Sequence, residues 1–498
     1  MKDVFSSVSE LRRTLETKGE DFWHNKGQAM ALELFHSASR RVPAYGDFLK
    51  KNKINPVKIK TIADLSNVPV INKANYLRAY PWEKLCWDGN AGSMDMISVS
   101  SGSTGEPFYW LRGKAQEKES ALIQELYLLD SFEVDKYSTL LIVSFAMGVW
   151  VGGTVIHRGS QESATNYSMS VITPGINIAE VLKAIRAIGK KYEQIIIAGY
   201  PPFVKDIIDE GEHSGLKWKD YRVKFLFAAE AFSEVWRDYM YQKVGAQKPF
   251  KDSLNIYGTA DAVIMGYETP LSIFIKRTAA KSNSGLYKDI FTYNERVPTL
   301  IQYNPMLKYY EDIKGNLVFS SNSGIPLVRY DIGDTGGIIE YGKMDKMMNG
   351  HGINMAAEAK ANDISNWKLP FLFVYGRGDF TASLYGVNIY PENIRDALGA
   401  EVISDYVSGK FVMLAKNDEN LNQYLEINVE IKNSKKHQPP GLRNNIKKTI
   451  TETLALKSNE YNELHRLIGK KSEPDVKLCR YGDERFFKQG IKQKWRKT

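Results

Sequence analysis

AEVLKAIRAIGKKYEQIIIAGY, from Ala179 to Tyr200, runs a helical stretch straight into an apolar, β-rich one. Outward from it the alternation repeats. VKFLFAA (Val223–Ala229) reads as a strand, SEVWRDYMYQKV (Ser233–Val244) as a helix and LNIYG (Leu254–Gly258) as a further strand. Upstream lie TLLIVSF (Thr139–Phe145) and MISVS (Met96–Ser100); downstream lies NLVFS (Asn316–Ser320). Short apolar runs separated by helical patterns predict a layered α/β body with parallel strands over Met96–Asp334.

The flanks read differently. ELRRTLETKGEDFW and QAMALELFHSASRR place apolar residues at helical spacing. Pro43, Pro56, Pro69 and Pro81 then predict an extended connecting region. Near Tyr375 the pattern breaks at GRGDF. Beyond it come a strand-like LYGVNIY, a helix start at PENIRDAL, an alternating YLEINVEI and the helical LRNNIKKTITETLAL. The expected organisation is a large layered α/β domain over residues 1–375 and a smaller, hinged α+β domain over 376–498. No internal repeat or low-complexity tract interrupts it.

Composition narrows the function. The 498 residues are 43% hydrophobic and 25% charged, which is globular and neither disordered nor fibrous. Two cysteines, Cys86 and Cys479, lie far apart, so no disulfide framework or paired-cysteine metal site is expected, and a reducing, cytoplasmic setting is. The start has no apolar run of signal-peptide length. Thr139–Ile156 is uncharged, but its three glycines predict a buried strand, a turn and a second short element rather than a membrane span. The formal charge is +9, and Arg466–Thr498 holds eleven basic against four acidic residues. That concentration in one terminal segment does not suit a nucleic-acid-binding face. It fits a solvated tail or a lysine that meets a phosphate.

Five segments could carry chemistry. Ser100 to Gly105 (Ser100, Ser101, Gly102, Ser103, Thr104, Gly105) follows a strand-like run, and such a run can cradle an anion with backbone N–H groups and hydroxyls. Asn255-Ile-Tyr-Gly-Thr-Ala-Asp261 delivers an aromatic ring, a hydroxyl and a carboxylate; Tyr257 could stack on a base and Asp261 could hold a hard cation. Arg329-Tyr-Asp-Ile-Gly-Asp334 ends in a carboxylate of the kind that meets ribose hydroxyls. Tyr375-Gly-Arg-Gly-Asp379 has the glycines of a hinge. The terminal Phe487–Arg496 brings lysines, each a mobile point charge. Each segment alone also reads as an ordinary loop, turn or strand end. No Walker A loop, dinucleotide fingerprint, HExxH, nucleophile elbow or kinase signature is present, and the seven histidines include no pair at metal-ligand spacing.

In this order the five segments resemble the adenylate-forming superfamily, and within it the phenylacetate–CoA ligase branch. Val42-Pro-Ala-Tyr45, FAMGVWVGG, Gly199–Pro202 and AAEAFSE add to that likeness, which covers roughly residues 35–400. The resemblance implies that Ser100–Gly105 handles the ATP phosphates and that Ala229 and Glu230 lie beside adenine. It implies that Tyr257 stacks on the base, with Gly258 and Thr259 beside it, and that Asp261 binds magnesium. Asp334 would hold the ribose, Arg377 would approach ribose or phosphate, Asp379 would be the hinge, and Lys492 (with Lys488 and Lys494 as neighbours) would be catalytic. It further implies ATP and Mg2+, a small carboxylic acid substrate, CoA or a carrier-protein thiol as acceptor, and a homodimer, with no nucleic-acid or membrane partner. Phe145, Trp150, Tyr200, Ala262 and Met265 would fall in the region of the acyl pocket.

Two departures stand out. Glu106 precedes Pro107 where the family usually has lysine, and Ala260-Asp261 replaces threonine–glutamate. They keep two alternatives open: AMP transfer to a non-acyl cofactor, and a catalytically inactive scaffold of the same fold.

Overall fold

The computed structural model describes residues 4–92, 95–100, 108–281, 285–291, 297–377, 382–432 and 438–487, with the side chains of Arg377, Glu392 and Glu401 excepted. They form two compact units. The first takes the chain up to Gly376 apart from Phe108 and Tyr200–Asp209; the second takes those residues and the chain from Arg377 onward.

A two-stranded sheet opens the strand order of the first unit, pairing β1 (Met96–Ser100) with β2 (Phe108–Arg112). Nine of the next eleven strands follow in quick succession around an eleven-stranded sheet. They are β3 (Thr139–Ser144), β4 (Met169–Ile172), β5 (Gln194–Gly199), β6 (Val223–Ala228), β7 (Ser253–Thr259), β8 (Val263–Tyr267), β9 (Thr299–Gln302), β10 (Lys308–Ile313) and β11 (Asn316–Ser321). The long β12 (Leu327–Ile339) and β13 (Phe371–Arg377) complete it. The spatial order is β10-β11-β12-β13-β9-β8-β7-β6-β5-β3-β4.

The parallel reading holds for one half. β4, β3, β5, β6 and β7 run parallel, and β3 and β5 are buried along their whole length. Strands covered on both faces read as continuous apolar runs. Connecting helices bury one stripe each. Ile178–Ile188 begins where the Asn177 side chain accepts from the Glu180 amide and buries Val181, Leu182 and Ile185. Glu234–Val244 starts on a Ser233 cap and stops at Gly245, whose φ is 70°.

The other half departs from expectation. β7 meets β8, and β8 meets β9, antiparallel, and NLVFS (β11) lies antiparallel between β10 and β12. At β7–β8 and along β10, β11 and β12 the connections are too short for a parallel crossover, which needs a dozen or more residues. Three residues join β7 to β8, and Lys314-Gly315 (φ 55° and 82°) joins β10 to β11 in a tight hairpin turn. MISVS (β1) is a strand outside the large sheet.

Two expectations about the flanks are also corrected. The first helical stretch breaks at Gly19 into helices Val8–Thr17 and Glu20–Arg41. The Pro-rich region is not extended throughout, because Pro43 opens helix Pro43–Lys51, where a missing N–H costs nothing. Thr139–Ile156 is β3, a turn and the start of helix Val151–Ala164. No described helix is long and apolar enough to cross a membrane.

The second unit is α+β. A hairpin of β14 (Ala382–Leu384) and β15 (Val387–Ile389) precedes β16 (Val407–Asn417), β17 (Gln423–Ile431) and β18 (Asp475–Cys479). β16 and β17 are antiparallel, while β18 returns parallel to β17 after helices Leu442–Lys457 and Asn459–Ile468. Ile427, Val429, Ile446, Ile450 and Val476 are fully buried there.

Candidate functional site

The C-terminal edge of the parallel strands is where open α/β sheets place their ligands. Here it carries the ends of β6 and β7. Ala229, just past β6, is exposed and has φ 75°, a strained conformation for a residue with a Cβ. The loop it opens is held from behind. Asn255 Nδ2 donates to the Glu230 carbonyl at 2.9 Å, and Lys276 Nζ to the Phe232 carbonyl at 3.0 Å.

Lys276 belongs to a buried ion cluster beneath that loop. Arg237 pairs with Glu234 and Glu268, each at 2.8 Å, and Lys276 approaches the same two carboxylates at 3.4 and 3.6 Å. Burial opposes ionisation of Glu234, but Arg237, Lys276 and Arg277 outweigh it and hold its carboxyl below the usual range.

β7 and β12 meet through side chains, although β13, β9 and β8 lie between them in the sheet. Tyr257 donates its hydroxyl to Asp334 Oδ2 at 2.5 Å, and Tyr330 donates to Asp261 Oδ2 at 2.7 Å. Two tyrosine–aspartate contacts thus cross in opposite directions. Gly258 sits where an added Cβ would lie 2.7 Å from the Val263 carbonyl oxygen, so the turn after β7 closes too tightly for a side chain. The Thr259 hydroxyl accepts from the Ala262 amide at 3.2 Å. It also donates to Met265 Sδ at 3.4 Å, and the two contacts shape the turn.

Lys73 is the side chain that the motifs did not reveal. Its ammonium lies 3.7 Å from Asp261 Oδ1, with the lysine side chain 24% and the aspartate 3% exposed. Arg329 delivers it. With φ 52°, Arg329 donates through Nη1 to the carbonyls of Ser66 (2.6 Å) and Val68, and pairs with Glu311 at 3.0 Å. The Ile71 amide donates to the Arg329 carbonyl, and the Asp331 amide to Ile71. This stitching lays the segment before Lys73 along β12. Its only local sign is a closed turn. Asn72 Oδ1 accepts from the amides of Ala74 and Asn75, and Asn75 Oδ1 accepts from that of Asn72.

The remaining sequence-derived residues divide as follows. Ser100 ends β1 and accepts from Trp110 Nε1 at 2.9 Å, fixing the foot of the Ser/Gly run. Ser101, Gly102, Ser103, Thr104, Gly105 and Glu106 lie outside the described residues, as do Asp379 and the lysines 488, 492 and 494. Arg377 is the last residue of β13. Phe145, Ala262 and Met265 are fully buried, and Trp150 is half-buried at the start of helix Val151–Ala164. Among the described residues no group of three or more His, Cys, Asp or Glu could hold a metal ion.

No family model matches the chain. A phenylacetate–coenzyme A ligase from Aromatoleum evansii is 20% identical to it over 367 residues, covering 72% of each chain. One from Thermus thermophilus is 21% identical over 372 residues, covering 74% of this chain and 73% of its own. The solved 2-hydroxyisobutyryl-CoA ligase, in complex with 2-HIB-AMP and CoA, superposes with a TM-score of 0.65 at 15% identity, over 97% of this chain and 91% of that one. The chain resembles the adenylate-forming CoA ligases. It has their fold, a large sheet-based body followed by a smaller C-terminal unit. A second structure of the same ligase, in the postadenylation state with R3-HIB-AMP, superposes with a TM-score of 0.57 at 15% identity. The likeness of this CoA-ligase-like chain to each relative is distant in sequence and spans most of the length.

Proposed function

We propose that this chain is an ATP-dependent carboxylate-activating ligase. A carboxylate oxygen attacks the α-phosphorus of MgATP, and pyrophosphate leaves to give an acyl-adenylate. A thiol of CoA or of a carrier protein then attacks the acyl carbon and releases AMP. The observation that carries the reading is the pair of contacts that joins Tyr257 to Asp334 and Tyr330 to Asp261, with the strained Ala229 just past the neighbouring β6. The related enzymes carry the names of CoA ligases, which supports the second step.

In this reading the strained loop at Ala229 presents a backbone edge to adenine, and its fixed carbonyls keep that edge in place. The Tyr257 ring supports the base while its hydroxyl orients Asp334 toward the ribose. Ser100–Gly105 wraps the phosphates, and Asp261 faces the magnesium ion of the substrate. Such chemistry depends on positioning and charge stabilisation, and needs no activated protein nucleophile.

The test is product analysis by mass spectrometry. The protein is incubated with MgATP, CoA and a panel of aryl, fatty, amino and sugar acids. An acyl-CoA together with AMP is the expected result. AMP bonded to a non-acyl product would instead establish adenylyl transfer, and ATP left intact with every acid would favour the inactive scaffold.

A further inference from the structure

We propose that the loop Lys50–Lys60 docks on the anionic surface of a lipid membrane, with Val57 entering the headgroup layer and the lysines meeting the lipid phosphates. The contact is peripheral, needs no spanning helix and stands independently of the ligase reading. It departs from the absence of a membrane partner that the family likeness implies.

The charge of the loop is one-sided. KKNKINPVKIK holds five lysines and no acidic residue, and all five lysines are exposed. Lys51 pairs with Asp47 at 2.7 Å and lies over the Tyr80 ring. Among the described residues, Lys50, Lys53, Lys58 and Lys60 form no ion pair. The helix dipole accounts for Lys50 and Lys51, which lie in the last turn of helix Pro43–Lys51. Lys53, Lys58 and Lys60 lie beyond that turn, and their mutual repulsion is relieved by a dense anionic surface.

The loop is also pinned in one shape. Asn52 Nδ2 donates to the Phe48 carbonyl at 2.8 Å, and the Ile54 amide to the Leu49 carbonyl at 2.9 Å, which turns the chain back on the helix end. Lys53 takes φ 58° at that turn, in the left-handed region where glycine is the unstrained residue. A charge therefore stands where local preference asks for no side chain. The Val57 amide donates to Asn55 Oδ1 at 3.1 Å and opens the short turn Pro56–Lys58. Leu49, Ile59 and Leu65 are buried and anchor both ends, while Val57 is 76% exposed. An apolar tip is thus displayed between Lys53 and Lys58.

The residue types select lipid over an acidic protein. Interfaces that recognise protein carboxylates favour arginine, whose fork binds two oxygens, and are depleted in lysine. Every cation of this loop is a lysine. Its long stem can lie along the acyl boundary while the hydrated ammonium stays among the headgroups. An exposed valine beside such lysines finds apolar surroundings at the same depth.

Flotation of the full chain with vesicles tests the docking, using phosphatidylcholine alone and phosphatidylcholine mixed with anionic phosphatidylglycerol. Binding to the anionic vesicles only, lost as salt rises from about 0.1 to about 1 M, is the expected result. One lysine near an anionic leaflet strengthens binding about fivefold, so Lys53→Gln/Lys58→Gln/Lys60→Gln should weaken it about a hundredfold. The same charge change at exposed positions elsewhere in the first unit, Lys343→Gln/Lys346→Gln/Lys360→Gln, should weaken it less than about fivefold. Val57→Ser should weaken it about fivefold. Wild-type protein that does not float with anionic vesicles at low salt would overturn the docking. So would equal losses in the two triple variants, which mark a diffuse attraction of the basic chain. Unchanged binding of Val57→Ser would remove the apolar tip from the contact and overturn it as stated. Binding to polyglutamate but not to vesicles would overturn it in favour of an acidic protein partner.

Discussion

At the scale of single residues, the site is organised by hydrogen bonds to charge. Tyr257 and Asp334 are joined at 2.5 Å, so each fixes the rotamer of the other. Tyr257→Phe keeps the ring and removes the bond. Since a hydrogen bond to a charged group contributes about 1.5–3 kcal/mol, KM for ATP should rise roughly ten- to a hundredfold with little change in melting temperature. Steady-state kinetics beside a thermal melt checks this, and an unchanged KM would remove the contact from nucleotide binding. The residues proposed for this site were picked out because their motifs come in order along the chain. Lys73 was not. INKANY reads as a capped turn, and nothing local says that its lysine will meet an aspartate brought by another segment. The link is tertiary, made by the side chain of Arg329 and by one bridge between Ile71 and Tyr330. Sequence spacing carries no trace of it.

At the scale of elements, legibility followed burial. β3 and β5 are covered on both faces and declare themselves as unbroken apolar runs. β10, KYYEDI, mixes charge with aromatics, and β9 has only four residues, so neither shows a period long enough to read. MISVS shows the other limit: local pattern identifies a strand without saying which sheet it joins. The same burial leaves a titratable mark on one helix. Asp130 closes helix Lys114–Asp130, is 7% exposed, and accepts a hydrogen bond from Ser365. Desolvation pushes its carboxyl up to about 6, against the hydrogen bond from Ser365. Its folded value lies above the unfolded one, so the group costs stability as pH rises from about 4 to about 6, and that cost disappears below both values. Wild type should therefore gain about 2–3 kcal/mol relative to Asp130→Asn between pH 7 and pH 4. Urea unfolding of both proteins at the two pH values measures it; a pH-independent difference would show that Asp130 does not titrate in this range.

At the scale of the whole molecule, the chain joins the proposed nucleotide-binding edge of its first unit to a smaller second unit and a lysine-rich terminus. The two proposed half-reactions act at different atoms, first the α-phosphorus and then the acyl carbon, and a hinge between the units is proposed to exchange the groups around them. Lys492 is the proposed charge donor to the α-phosphate during adenylation. Lys492→Ala should slow that step by about a hundred- to a thousandfold, the effect of removing one preorganised donor, with ATP affinity much less changed. Single-turnover kinetics separates the two, and an unaltered rate would move the role to Lys488 or Lys494. The central claim is carboxylate activation itself, and exchange of labelled pyrophosphate into ATP tests it most directly. Purified protein is given MgATP, labelled pyrophosphate and pools of carboxylic acids, with no thiol present. Exchange that depends on one pool is the expected result, because acyl-adenylate formation is reversible. Absence of exchange with every pool, from protein shown to bind MgATP, would contradict it.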